Sequence, residues 1–209
     1  MPGGLRPAAA LLLAAALCSG CRSGPEPLVD FARVHPRAVL DIRYATPDNF
    51  THRQVYGQAR CALRRSVAER LSDAASELEG LGYLLKVFDC YRPLSVQKAF
   101  WALVPDERYV ADPAKGSRHN RGAAVDVSLA DVAGRELEMP TGYDDFSERA
   151  RRDWAGASPA AAAHRAALER VMSRHGFVGF PSEWWHFDAQ GWERYPVEDV
   201  PFADIPAGS

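Results

Sequence analysis

Three short stretches of this 209-residue chain carry side chains whose types and spacing could do chemistry. The first is Ser117-Arg118-His119-Asn120-Arg121-Gly122-Ala123-Ala124-Val125-Asp126, a loop histidine followed seven residues later by an aspartate on a strand-like run. Strand alternation sends Asp126 to the face opposite Val125 and Val127. A carboxylate on so apolar a strand is costly unless it is paired or bound to metal. Gly122 can turn the backbone so that imidazole and carboxylate converge. The same residues also fit a polar loop leading into a half-exposed edge strand. The second stretch, Glu183-Trp184-Trp185-His186, places two indoles beside a carboxylate and an imidazole, which suits a partly dry pocket. Two histidines and an aspartate with one open position match the three-ligand pattern of catalytic zinc. Glu183 then remains as a carboxylate free to accept a proton from water. A Trp-rich core turn with a satisfied histidine is the alternative. The third stretch, Asp89-Cys90-Tyr91-Arg92-Pro93, holds an arginine that could clamp a carboxylate or face an oxyanion. By itself it reads better as a structural pair with a nearby acid. His35, His52, His164 and His175 show no partner pattern and read as surface or helix-face residues.

Elements to position these groups can be traced along the chain. Ala38 to Tyr44 has strand character and ends at the turn-rich Thr46-Pro47-Asp48-Asn49. Cys61 to Leu78 is predicted helical, with Leu63, Val67, Leu71, Ala74, Ala75 and Leu78 on one apolar face and Gly80 and Gly82 able to stop it. Tyr83 to Phe88 reads as a buried strand, and Pro93 opens a helix through Phe100 and Leu103 at the favoured first position. Ala123 to Leu129 alternates like a strand. Ser158-Pro159 caps an Ala-rich helix that runs to His175 and stops at Gly176. Strands and helices mix without a regular βαβ rhythm, so a single α+β domain is expected.

Composition narrows the function classes. Hydrophobic residues at 47% and charged residues at 25% exclude disorder, collagen and coiled coil for the whole chain. A formal net charge of −2 offers no basic excess for a phosphate backbone, so no nucleic-acid partner is expected, and no protein partner is inferred. The chain opens with Arg6, an apolar run from Ala8 to Leu17, and Cys18-Ser19-Gly20-Cys21. A charged start, about ten apolar residues and small residues near a cleavage point describe a signal peptide over residues 1–20. The run is too short to span a membrane, which takes about 20 apolar residues. Leu17 to Cys21 resembles a bacterial lipobox, so Cys21 is the expected lipidation site and a lipid anchor to a bacterial membrane follows. Cys18 sits where that pattern prefers an aliphatic residue, which keeps plain secretion as the alternative. Residues 21–29, with Pro25 and Pro27, read as a tether, and residues 30–209 as the catalytic domain. Cys61 and Cys90 could pair in an oxidising compartment or remain two buried thiols.

Taken together, Ser117-x-His119-x-x-Gly122-x-Ala124-x-Asp126 and Glu183-Trp184-Trp185-His186 resemble the zinc metallopeptidases that act on D-Ala-D-Ala, and within them the D-alanyl-D-alanine dipeptidase branch. Arg43 to Phe50 is similar to that branch's N-terminal signature, Tyr91-Arg92-Pro93 to its arginine segment, and Met139 to Arg149 to its substrate loop. The resemblance implies a compact α+β domain whose antiparallel sheet cradles one zinc ion per chain. It implies His119, Asp126 and His186 as zinc ligands, Glu183 as general base, and Arg92 as stabiliser of the oxyanion. It further implies that Ser117, Tyr44 and Asp144 seat the dipeptide, with Asp144 facing its free ammonium group. Cys90 and Arg118 depart from the branch, where a small residue and a small polar residue are usual; Arg118 could alter the entrance.

The expected activity is zinc-dependent hydrolysis of D-alanyl-D-alanine to D-alanine by an exported enzyme, periplasmic or at the cell surface. The alternatives are an exported D,D-carboxypeptidase or endopeptidase acting on peptidoglycan stem peptides, and a non-catalytic zinc module that binds cell wall.

Overall fold

The expected apolar faces and caps form most of the helices, while the short strands are set by pairings distant in sequence. A computed structural model describes residues 26–206. The signal peptide expected over residues 1–20 and the lipidation expected at Cys21 lie outside the described residues.

The chain begins with strand β1 (Leu28–Asp30) and a single helical turn, α1 (Phe31–Val34). Strand β2 (Val39–Leu40) and a 3-10 turn at Arg43–Ala45 follow. Strand β3 (Ala62–Arg64) leads into helix α2 (Arg65–Gly80). Next come β4 (Leu84–Asp89), α3 (Leu94–Leu103) and β5 (Ala124–Ala130). The long helix α4 (Pro159–Arg174) precedes β6 (Phe177–Gly179) and β7 (His186–Ala189). The strands form a two-stranded sheet, β1-β3, and a five-stranded sheet in the order β2-β4-β5-β7-β6. Every pairing is antiparallel except β2 with β4 at the edge of the larger sheet, which is parallel. The α+β class therefore holds, with a mixed sheet in place of a wholly antiparallel one.

Helices α2 and α4 pack on each other; α2 also lies against β4, and α4 against β5 and β6. Val67, Leu71, Ala74, Ala75 and Leu78 turn the apolar face of α2 into the core, as the spacing predicts. Ser158 accepts a hydrogen bond from the Ala161 N–H, Pro159 occupies the first turn, and Gly176 (φ +77°) takes the left-handed conformation just past α4. All of β5 is buried, so alternation gives Val125 and Val127 to the side opposite Asp126. Among the described residues, no helix is long and apolar enough to cross a membrane.

Four boundaries differ from expectation. The tether read to residue 29 ends earlier, because Leu28 and Val29 are buried in β1 and pair with Arg64 and Leu63. Glu26 is already tied in, accepting hydrogen bonds from the Ser66 N–H and from the Ser66 and Tyr195 hydroxyls. Ala62–Arg64 extends the helical periodicity but is claimed by that strand pairing. The strand expected from Ala38 to Tyr44 stops at Leu40, placing Tyr44 on a 3-10 turn. Pro93 caps α3 and Leu94 is its first residue. Cys61 and Cys90, whose pairing was open, form a disulfide with Cα atoms 5.1 Å apart. It joins the residue before β3 to the residue after β4.

Candidate metal centre and catalytic cavity

Three central strands set the floor of the site. In the antiparallel register Asp89 of β4 lies opposite Asp126 of β5, and Asp126 opposite His186 of β7. Directly opposed residues share one face of a sheet, so three polar side chains stand in a row there. A bulge between Val87 and Asp89 re-aims the end of β4 toward that row. His119 enters from the 3-10 turn His119–Arg121, which Gly122 closes at φ +65°. A Cβ at Gly122 would stand 2.4 Å from Leu28 Cδ2, so both the backbone angle and the space require glycine.

The donors converge. His119 Nε2 lies 3.1 Å from His186 Nδ1 and 3.4 Å from Asp126 Oδ1. His186 Nδ1 lies 3.0 Å from the same Asp126 oxygen. Among the described residues, this is the group of His, Cys, Asp or Glu side chains whose ligand atoms gather, all within 4.8 Å. The second nitrogen of each ring is occupied. His119 Nδ1 meets the Cys90 carbonyl oxygen at 2.6 Å, and His186 Nε2 meets Asp188 Oδ1 at 2.9 Å. Such contacts place the ring proton on the outer nitrogen and leave the inner lone pair for a metal. The remaining Asp126 oxygen accepts from the Tyr143 hydroxyl at 2.9 Å.

Charge argues the same way. Burial alone would raise the Asp126 pKa, yet the His119 and His186 rings outweigh it and hold the carboxyl far below its usual range. Burial alone would lower the His186 pKa, yet hydrogen bonds to Asp126 and Asp188 push it up to about 10. Two imidazoles with one carboxylate form a donor set that zinc accepts. The residues fit a divalent ion.

Around the donors is a cavity of about 310 Å³ whose walls include Tyr44, Arg92, Ser117, Asp144, Glu183 and Trp185. Glu183 Oε2 lies 3.9 Å from His186 Nδ1. Burial, reinforced by the Asp126 charge, pushes Glu183 up to about 7, a value suited to a proton carrier near neutral pH. Arg92 is buried and donates from Nε and Nη2 to Asp89 Oδ2 and from Nη1 to Gln97 Oε1. Its guanidinium also lies 5.4 Å from the Tyr44 ring centre and 4.8 Å from that of Phe100. Asp144, at φ +59°, accepts from the Tyr44 hydroxyl at 3.1 Å. Burial and the Asp126 charge raise the Asp144 carboxyl well above its ordinary value. A ligand cation beside Asp144 would relieve that. The Ser117 hydroxyl accepts from the His119 N–H at 3.2 Å, so it braces the histidine turn as well as lining the cavity.

Comparison with known proteins identifies a family. The model of the D-ala-D-ala dipeptidase family matches residues 25–204. The chain belongs to this family. A D-alanyl-D-alanine dipeptidase of Escherichia coli is 38% identical over 170 residues, covering 81% of this chain and 88% of that protein. One of Enterococcus faecalis is 30% identical over 185 residues, covering 78% and 88%. Among solved structures, a vancomycin-resistance D,D-dipeptidase in complex with a D-Ala-D-Ala phosphinate analogue is 16% identical, covers 78% of this chain and 66% of its own, and has a TM-score of 0.40.

The resemblance read from the order of the motifs is therefore borne out. The structure brings His119, Asp126, His186, Glu183, Arg92, Tyr44, Ser117 and Asp144 to one cavity. The nearby acid expected beside Arg92 is Asp89, while residue types and spacing missed Tyr143, the Cys90 carbonyl and Asp188. Of those three, Asp188 left a signal, two residues beyond His186 and so on the same face of its strand. Three histidines read without a partner pattern have one: His35 meets Ser72 and Glu79, His175 meets Glu77, and His164 meets the Glu138 carbonyl oxygen.

Proposed function

We propose that this family member is a zinc-dependent D-alanyl-D-alanine dipeptidase whose ligands are His119, Asp126 and His186. The observation that carries the reading is the convergence of their three donor atoms within a cavity that Glu183, Arg92 and Asp144 also line. Bound zinc supplies a Lewis acid that polarises the scissile carbonyl and lowers the pKa of water. Glu183 takes a proton from the attacking water and returns it to the departing amine. Arg92, held by Asp89 and Gln97, brings positive charge to the side of the cavity where the oxyanion develops. Asp144 receives the free ammonium group of the dipeptide, oriented by the Tyr44 hydroxyl, and Ser117 seats the substrate from the histidine turn. The sum is one water and one dipeptide converted to two D-alanine molecules.

Hydrolysis of D-Ala-D-Ala beside an N-blocked stem peptide ending in the same two residues tests the assignment. The free dipeptide is cleaved and the blocked peptide is spared. Preferential cleavage of the blocked peptide would make the chain a carboxypeptidase, and zinc binding without turnover of either would make it a binding module. With Glu183→Ala, kcat falls about 10²- to 10⁴-fold while zinc stays bound; activity within a few-fold of the parent refutes the base.

The enzyme is further proposed to be exported through residues 1–20 and held to a bacterial membrane by a lipid on Cys21. The apolar run before Cys21 and the Cys61–Cys90 disulfide support that reading, since disulfides persist in oxidising compartments. Recovery of D-alanine from external or released dipeptide suits such a location. Full-length protein then partitions into membranes and the Cys21→Ser variant does not. Cytosolic protein with an intact N-terminus would overturn export.

A further inference from the structure

We propose that Asp188 is a positioning residue for the metal centre, with Arg118 and Trp192 holding it in place. The inference rests on the zinc reading of the site. His186 and Asp188 are alternate residues of β7 and project from the same face of the sheet. The cross-strand neighbour of Asp188 on β5 is Ala124, whose methyl group leaves room for a carboxylate. Asp188 Oδ1 sits 2.9 Å from His186 Nε2, on the side of the ring away from Asp126 and His119.

Neutral imidazole carries one proton. With no outer acceptor, that proton could sit on Nδ1, where Asp126 Oδ1 is 3.0 Å away and would welcome it. His186 would then present an N–H where a metal needs a lone pair. Asp188 offers the competing acceptor and draws the proton to Nε2, so that Nδ1 faces the centre as a donor.

Asp188 is held in turn. Its Oδ2 lies 3.6 Å from Arg118 Nε, and this buried nitrogen has no hydrogen-bond partner among the described residues. The Arg118 guanidinium lies 4.7 Å from the centre of the Trp192 ring, a cation–π contact that helps to hold it. Arg118 therefore acts behind the metal ligand, in addition to any effect at the entrance.

The test measures zinc affinity by equilibrium competition with a chromophoric chelator for the parent, Asp188→Ala and Asp188→Asn, together with the melting temperature of each zinc-free protein. Asp188→Ala should weaken zinc about 10- to 100-fold, the usual cost of losing such a partner. Asp188→Asn, whose amide oxygen can still accept but carries no charge, should fall between parent and alanine. The zinc-free melting temperatures show whether each variant is folded at the temperature of the affinity measurement. In the zinc-loaded proteins, the downfield proton resonance of His186 Nε2–H should move upfield when asparagine replaces the carboxylate. Affinity of the alanine variant within about threefold of the parent, outside that usual range, overturns the proposal. So does an asparagine variant indistinguishable from the parent in affinity and spectrum, which would mean that Asp188 matters only for shape. If the alanine variant fails to fold, the asparagine variant decides alone by the same two readouts. A parent that binds no zinc overturns the metal reading itself and this inference with it.

Discussion

His186 meets Asp188 at 2.9 Å, His35 meets Glu79 at 2.9 Å, and His175 meets Glu77 at 2.8 Å. By distance alone the three pairs are alike, yet only the first belongs to a metal centre. The outer pairs join a helix side chain to a neighbouring element, and among the described residues neither belongs to a gathering of metal donors. Around His186 the opposite ring nitrogen faces Asp126 and His119 from an adjacent strand and a glycine-closed turn. A histidine–carboxylate pair at hydrogen-bond distance is common structural currency. Chemistry appears where a second lone pair is left pointing at other lone pairs.

The comparison breaks most visibly with His119→Ala, which should abolish stoichiometric zinc and reduce dipeptide hydrolysis to background. His175→Ala should leave kcat/KM within about twofold, because this half-buried pair lies outside the catalytic cavity and contributes only local stability. Metal content by atomic emission, with steady-state kinetics, reads both. One tight zinc retained by His119→Ala would refute the ligand set. A smaller effect is expected at Arg92. Arg92→Lys keeps the charge but loses the planar fork on Asp89 and Gln97, and should lower kcat about 10²- to 10³-fold with zinc still bound. An equal loss in KM alone would move Arg92 from transition-state stabilisation to ground-state binding.

The smallest effect belongs to the outer pair. Hydrogen bonds from Arg174 and His175 hold the Glu77 carboxyl below its ordinary range. Its contribution to stability is therefore complete above the ordinary carboxylate pKa and is lost as pH falls through the depressed folded value. Glu77→Gln removes that titration, so its melting temperature should fall less than the parent's between pH 7 and pH 3. Activity at neutral pH should not change.

Much of the site was legible because its ligands sit in two short motifs whose residue types are chemically unusual. Asp126 announces itself as a carboxylate between valines, and His186 follows two indoles. Helix α4 was legible from Ser158, Pro159 and Gly176, which act within a turn of their own positions. Contacts between distant residues were hidden. Leu28 and Val29 follow prolines and look like linker until Leu63 and Arg64 claim them in a ladder. Ala62 to Arg64 continues an apolar period into α2, so local pattern favours helix where pairing makes strand. Cys61 and Cys90 are 29 residues apart, and nothing in their neighbours reveals the approach of the two backbones. Tyr143 acts on Asp126, which another segment contributes, so its role required the fold.

The fit between Leu28 and Gly122 ties the leading edge of the domain to the metal. The Leu28 side chain occupies the space that a Cβ on the His119 turn would need, and β1 holds it there through Arg64. Protease trimming ahead of Glu26 would spare this wall, whereas trimming past Leu28 would open a void directly behind a ligand-bearing turn. A few residues at the start of the domain, distant from His119 in sequence, thus stand one side chain from its turn in space.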